Sequence, residues 1–87
     1  EPIALVDVRA AAEYEAGHIS SAVSIPVADL RTRYTEIDRE AHVVLICSTG
    51  NRSSLGASIL AREGFSRLTT VAGGLTGYLA AGLPLQV

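Results

Sequence analysis

Apolar residues fall along this chain in short runs of two kinds, and the alternation between them predicts the fold. "IALVDV" (Ile3 to Val8), "AVSIP" (Ala22 to Pro26), "HVVLIC" (His42 to Cys47) and "LTTV" (Leu68 to Val71) are brief and β-rich, and read as strands. Both faces of the first are apolar apart from Asp7, the pattern of a central parallel strand. Helical spacings lie between them. "RAAAEYEAG" is rich in helix formers and stops at Gly17, and "VADLRTRYTEI" sets Val27, Leu30, Tyr34 and Ile37 on one face. Ser53 to Glu63 carries Leu55, Ile59 and Leu60, with Ala57 and Ala61, as one apolar stripe; Gly64 and Phe65 supply the C-cap and its hydrophobic contact. Beyond Gly73 and Gly74, "LTGYLAAG" reads as a small last helix closed by Gly82 and Pro84. Strands alternating with helices predict an α/β fold: a small, mainly parallel sheet flanked by helices and joined by right-handed crossovers.

Composition narrows the function. The 87 residues read as one domain, 1–87, with no repeat or linker. A chain of this size buries only about 60% of its unfolded surface, so the core is small. Apolar residues make up 48% of the chain and mean hydropathy is +0.33, which predicts a compact globule. The charge of −2 arises from seven arginines and nine acids, with no lysine. Those arginines are dispersed, which argues against a nucleic-acid or membrane surface. No apolar run approaches the roughly 18 residues of a membrane span, and no signal-like leader is visible. A single cysteine forms no internal disulfide and fits a reducing, cytoplasmic setting. The absence of methionine suggests a piece of a longer chain, so other domains of a parent protein are expected partners.

The candidate chemistry lies at Cys47, where the strongest strand ends. Ligands of open parallel sheets collect at the carboxyl ends of strands. The residues that follow, Ser48, Thr49, Gly50, Asn51, Arg52 and Ser53, are small or polar, and Gly50 lets the backbone turn tightly. Such a loop can turn its N–H groups inward around an anion, and a helix starting near Ser53 adds the positive end of its dipole. Both favour a thiolate. An ordinary cysteine, of pKa about 8.5, is roughly 3% ionised at pH 7; at about 6.5 it is roughly three-quarters ionised. Arg52 would return its guanidinium to the rim for the anionic end of a substrate. Alone, a strand-end cysteine is more often a packing residue. The complete run of strand, cysteine, glycine-bearing loop, arginine and helix reverses that expectation.

Three separated stretches resemble the rhodanese-homology family. "LVDVRAAAEYEAGHI" (Leu5 to Ile19) is similar to its first signature, "CSTGNRS" to its active loop, and "VAGGLTGYLAAGLPL" to its C-terminal signature. The resemblance covers nearly the whole chain. It implies a sulfurtransferase in which Cys47 takes a sulfane sulfur from thiosulfate or a low-molecular-weight persulfide. The sulfur is then held as a persulfide beneath the amides of Ser48 to Ser53 and passed to a thiol or cyanide. With no second cysteine, the acceptor comes from outside the chain; the resemblance implies no metal and no organic cofactor.

Departures from the family pattern carry expectations of their own. Ser20-Ser21 replaces a Pro-Gly, which loosens that turn, and Leu75 replaces a tryptophan, which shrinks one wall. The chain starts at the first central strand, without the strand and helix that usually precede it, and an open sheet edge or uncovered face is expected. Arg9 is expected to pair with Glu13 one helical turn away, His18 to tie down a loop, His42 to be solvated, and Gly73 and Gly74 to serve backbone conformation. Two rivals remain. One is a cysteine-dependent phosphatase, whose loop carries one residue more between cysteine and arginine than the four found here. The other is a non-catalytic module that docks partners or relays sulfur within a multidomain protein.

Overall fold

The computed structural model describes residues 3–48, 51–71 and 74. Within them the four predicted strands form as β1 (Ile3–Asp7), β2 (Val23–Ser24), β3 (His42–Ile46) and β4 (Leu68–Thr70). They build a four-stranded sheet in the order β2-β1-β3-β4, with every neighbouring pair parallel. The helices are α1 (Ala11–Ala16), α2 (Leu30–Arg33) and α3 (Asn51–Arg62). The predicted last helix, residues 75–82, and Leu75 with it, lie outside the described residues. No helix among the described residues is long and apolar enough to cross a membrane.

The central pair sets the frame. Ala4 faces Val43, Val6 faces Leu45 and Asp7 faces Ile46, and the Val8 N–H extends the ladder to the Ile46 carbonyl at 2.8 Å. Because strand side chains alternate, Val6 and Val8 share a face with Val43, Leu45 and Cys47. Ile25, Leu30, Ile37, Ile59, Leu60 and Phe65 close over that face in one buried cluster. The segment predicted as an amphipathic helix is broken into tight turns at Val27–Asp29 and Tyr34–Glu36 on either side of α2. Its apolar spacing still serves the core: Leu30 and Ile37 are buried, and Val27 and Tyr34 pack against them.

The end of α3 matches its predicted cap. Gly64 takes φ 94°, the Phe65 N–H reaches the Leu60 carbonyl at 3.1 Å, and the Gly64 N–H reaches that of Ala61 at 3.2 Å. This is a Schellman closure, and its hydrophobic partners Leu60 and Phe65 meet in the core. The buried face of α3 differs from the predicted stripe. It runs through Ser53, Gly56, Ile59 and Leu60, while Leu55 is 50% exposed and Ala61 is exposed. The reason is close packing at Gly56, where an added Cβ would lie 3.1 Å from Leu30 Cδ1 and 3.7 Å from Leu45 Cδ1.

Around α1 one expectation holds and one is corrected. Gly17 ends this helix as expected, with extended backbone at φ 161°. Its carbonyl accepts the Arg9 Nη2 donor at 2.8 Å. Arg9 does not pair with Glu13. Its guanidinium grips the Asp7 carboxylate through Nε at 3.0 Å and Nη2 at 2.8 Å, and the Arg9 backbone N–H adds a third donor at 3.0 Å. Both side chains are buried, so each charge needs the other, and the pair clamps the turn from β1 into α1. Ile3, at the start of β1, and Val23, on the edge strand β2, are exposed.

Gly56→Val should lower stability by about 2 kcal/mol, because the new methyls press on Leu30 and Leu45 in a packed core. Leu55→Ala should cost less than about 0.5 kcal/mol, since that side chain leaves little packing behind. Urea unfolding midpoints of the two variants check the ranking, and a larger loss for Leu55→Ala would contradict the packing of α3.

Candidate active site

Cys47 follows the last residue of β3 and projects to the face covered by α3. The helix begins at Asn51, two residues before the predicted start, so Ser53 occupies its first turn. First-turn N–H groups lack partners within a helix. The Ser53 N–H finds one in the Cys47 sulfur at 3.3 Å, and Ser53 Oγ lies 3.4 Å from the same atom. Ser53 is fully buried and Cys47 is 1% exposed. The thiol therefore belongs to the core and has polar partners, a combination that strand periodicity alone does not reveal. Ser48 is half-buried beside it and Asn51 is exposed at the helix start; Thr49 and Gly50 lie outside the described residues.

The early helix start also carries Arg52 onto the first turn of α3, where Glu13 of α1 meets it. Arg52 Nη1 donates to Glu13 Oε1 at 2.6 Å, and Nη2 donates to Glu13 Oε2 at 3.1 Å. Nη2 also donates to Ser48 Oγ at 3.1 Å, joining helix, loop and α1 in one network. Glu13 Oε1 further accepts the Ala10 N–H at 3.0 Å and so closes the start of its own helix. Arg52, and after it the Ala10 N–H, hold the Glu13 carboxyl at about 2, and Glu13 in turn holds Arg52 firmly charged. A lowered folded pKa stabilises the fold above the ordinary carboxylate value. That contribution is complete above pH 4.5 and is lost as pH falls through about 2. Both side chains remain more than a third exposed, so water screens the pair and its stabilisation is modest.

The other conspicuous residues hold this arrangement in place. The His18 ring stacks on Tyr14 with centroids 3.8 Å apart, and its Nδ1 lies 2.8 Å from the Tyr14 carbonyl. Tyr14 Oη donates to the Ala22 carbonyl at 2.6 Å. His18 thus ties the segment after α1, as its motif suggested. Gly74 is buried with φ 56°, and a Cβ there would lie 2.4 Å from the Cys47 carbonyl oxygen and 2.7 Å from that of Ser48. Only glycine lets the chain cross the backbone so closely. Gly73 lies outside the described residues. Glu13 is the residue that local reading misassigned: its partner is 39 positions away, and only the shared carboxyl end of the sheet brings them together.

Ser53→Ala should raise the midpoint of the pH–rate profile for Cys47 alkylation by about one pH unit, because a hydrogen bond to a charged group is lost. An unchanged midpoint would show that the Ser53 hydroxyl does not stabilise the thiolate. Gly74→Ala should lower stability by more than about 2 kcal/mol, since the methyl collides with immovable backbone at a positive φ. A thermal melt checks it, and a loss below about 0.5 kcal/mol would contradict the crossing.

A family model described as the rhodanese-like domain matches residues 1–81. A sulfurtransferase of Allochromatium vinosum is 33% identical over 98% of this chain and 79% of its own length. The putative sulfur carrier protein YrkF of Bacillus subtilis is 32% identical over 90% of this chain, which spans only 42% of that relative. Among solved structures, a rhodanese-related protein of Thermoplasma volcanium superposes with a TM-score of 0.89 at 28% identity, covering 97% of this chain and 83% of the other. With a parallel sheet of the same architecture and a cysteine at the carboxyl end of its central strand, the chain belongs to the rhodanese-like domain family, whose sulfurtransferase members support a role in sulfur transfer.

Proposed function

We propose that the domain is a sulfurtransferase that carries sulfane sulfur on Cys47. The observation that carries this reading is the pair of Ser53 contacts, N–H at 3.3 Å and Oγ at 3.4 Å, on the sulfur at the first turn of α3. Donors placed there stabilise the thiolate, which is the attacking form of cysteine. With thiosulfate, the Cys47 thiolate forms a bond to the outer sulfur, the S–S bond within the donor breaks, and sulfite departs with the electron pair. With a persulfide R–S–SH, the same attack leaves R–S⁻ and transfers the terminal S–H. An external thiolate or cyanide then attacks the outer sulfur of the Cys47 persulfide and returns the Cys47 thiolate. Ser48, Thr49, Gly50, Asn51, Arg52 and Ser53 form the substrate-binding rim in this scheme.

A relay within a larger protein is the second reading, since this chain spans 42% of a relative named as a putative sulfur carrier. Both readings pass through the same persulfide, and both suit the cytoplasm, where a lone thiol stays reduced.

Incubating reduced protein with thiosulfate or glutathione persulfide should add one sulfur, about 32 Da by intact mass, and Cys47→Ser should abolish the adduct. Release of that sulfur to cyanide faster than to a partner domain would favour the enzyme over the relay. Folded wild-type protein that takes up no sulfur from either donor would overturn the proposal.

A further inference from the structure

The sulfurtransferase reading leaves open which donor charge the site accepts, and the described residues bear on it. Arg52 is the cation beside Cys47 and Ser48, yet both of its terminal nitrogens are directed to Glu13, at 2.6 and 3.1 Å. The other nearby cation, Arg9, is buried and committed to Asp7 at 2.8 Å. Each positive charge at this end of the sheet is thus matched by a carboxylate. The matching differs in kind: Asp7 and Arg9 are sealed from solvent, whereas Glu13 and Arg52 are 39% and 36% exposed, where an incoming donor would meet them.

Resting on that reading, we infer that Glu13 is a specificity-determining residue: by cancelling the charge of Arg52 it tunes the site to sulfur donors with at most one negative charge, organic persulfides, over dianionic thiosulfate. With a Cys47 thiolate, the trio of Cys47, Arg52 and Glu13 has a net charge of −1. Thiosulfate brings two negative charges to this trio and sulfite leaves with two. An alkyl persulfide brings one or none at its reacting end and leaves as a thiolate. Repulsion therefore falls more heavily on thiosulfate, and removing the Glu13 charge relieves it more. The effect is electrostatic and local, so it acts on the ratio between donors. Loss of geometry alone, through a displaced Arg52 or an uncapped α1, would slow both donors together.

The test measures second-order rates of sulfur loading on Cys47 by intact mass, with thiosulfate and with the persulfide of 2-mercaptoethanol, whose body is uncharged. Glu13→Gln should raise the thiosulfate-to-persulfide rate ratio about tenfold, and 0.5 M salt should shrink that gain. Arg52→Gln, which leaves the carboxylate uncancelled, should lower the ratio about tenfold, and the double variant should return to within about threefold of wild type. Glu13→Asp keeps the charge and should keep the wild-type ratio even where both rates fall. A ratio unchanged in Glu13→Gln, or equally raised in Glu13→Asp, would overturn the inference. Circular dichroism confirms that each variant is folded. Failure of wild-type protein to load from either donor would instead remove the sulfurtransferase reading, and this inference with it; loading from both donors with an unmoved ratio would remove this inference alone.

Discussion

The pairing of β1 with β3 is the constraint on which the rest of the site depends. Both strands run in one direction and end in register, Asp7 opposite Ile46, so the loops that leave them emerge side by side. One loop leads through Arg9 into α1 and the other through Cys47 into α3. The cysteine, the first turn of α3 and Glu13 of α1 therefore share the carboxyl end of the sheet without any long excursion of the chain. A slip of one residue would turn Cys47 to the opposite face and part its sulfur from Ser53.

Two ion pairs serve that end in different ways. The Asp7–Arg9 pair is sealed, and its desolvation is offset by three donors from Arg9 on one carboxylate and by the bond from Arg9 Nη2 to the Gly17 carbonyl. Removing either partner would strand a buried charge, so the pair acts as a clamp on the strand-to-helix turn. The Glu13–Arg52 pair is open to water and contributes little to stability. Its importance lies in what it does to the local charge and in joining Ser48, Arg52 and α1 beside the thiol.

The thiol itself shows why burial and chemistry need not exclude each other. Cys47 packs with Val8 and Leu45 in the core, while a first-turn N–H and a serine hydroxyl of α3 supply its polar contacts. The packing fixes where the sulfur stands, and the first turn of α3 supplies an N–H donor to it. Gly56 and Gly74 make the arrangement possible. One lets α3 come down onto Leu30, and the other lets the chain cross the Cys47 and Ser48 backbone.

Much of this was legible in the residues. Hydrophobic periodicity located each strand among the described residues, because alternation and run length are local properties. The Gly64 and Phe65 cap was equally legible, since a Schellman closure is written within six residues, Leu60 to Phe65. The "CSTGNRS" run pointed to Cys47 through its spacing. What the chain alone could not decide were partners brought together by the parallel sheet. Local spacing offered Arg9 for Glu13, but a buried Asp7 claimed Arg9, and a residue on a separate helix claimed Glu13. Likewise, apolar count chose Leu55 for the buried stripe, whereas the close approach of α3 to Leu30 chose Gly56. The strands and the nucleophile candidate follow from interactions a few residues long. Which charges neutralise one another and which helix face is buried follow from the packed fold, because both depend on distances between residues far apart in the chain.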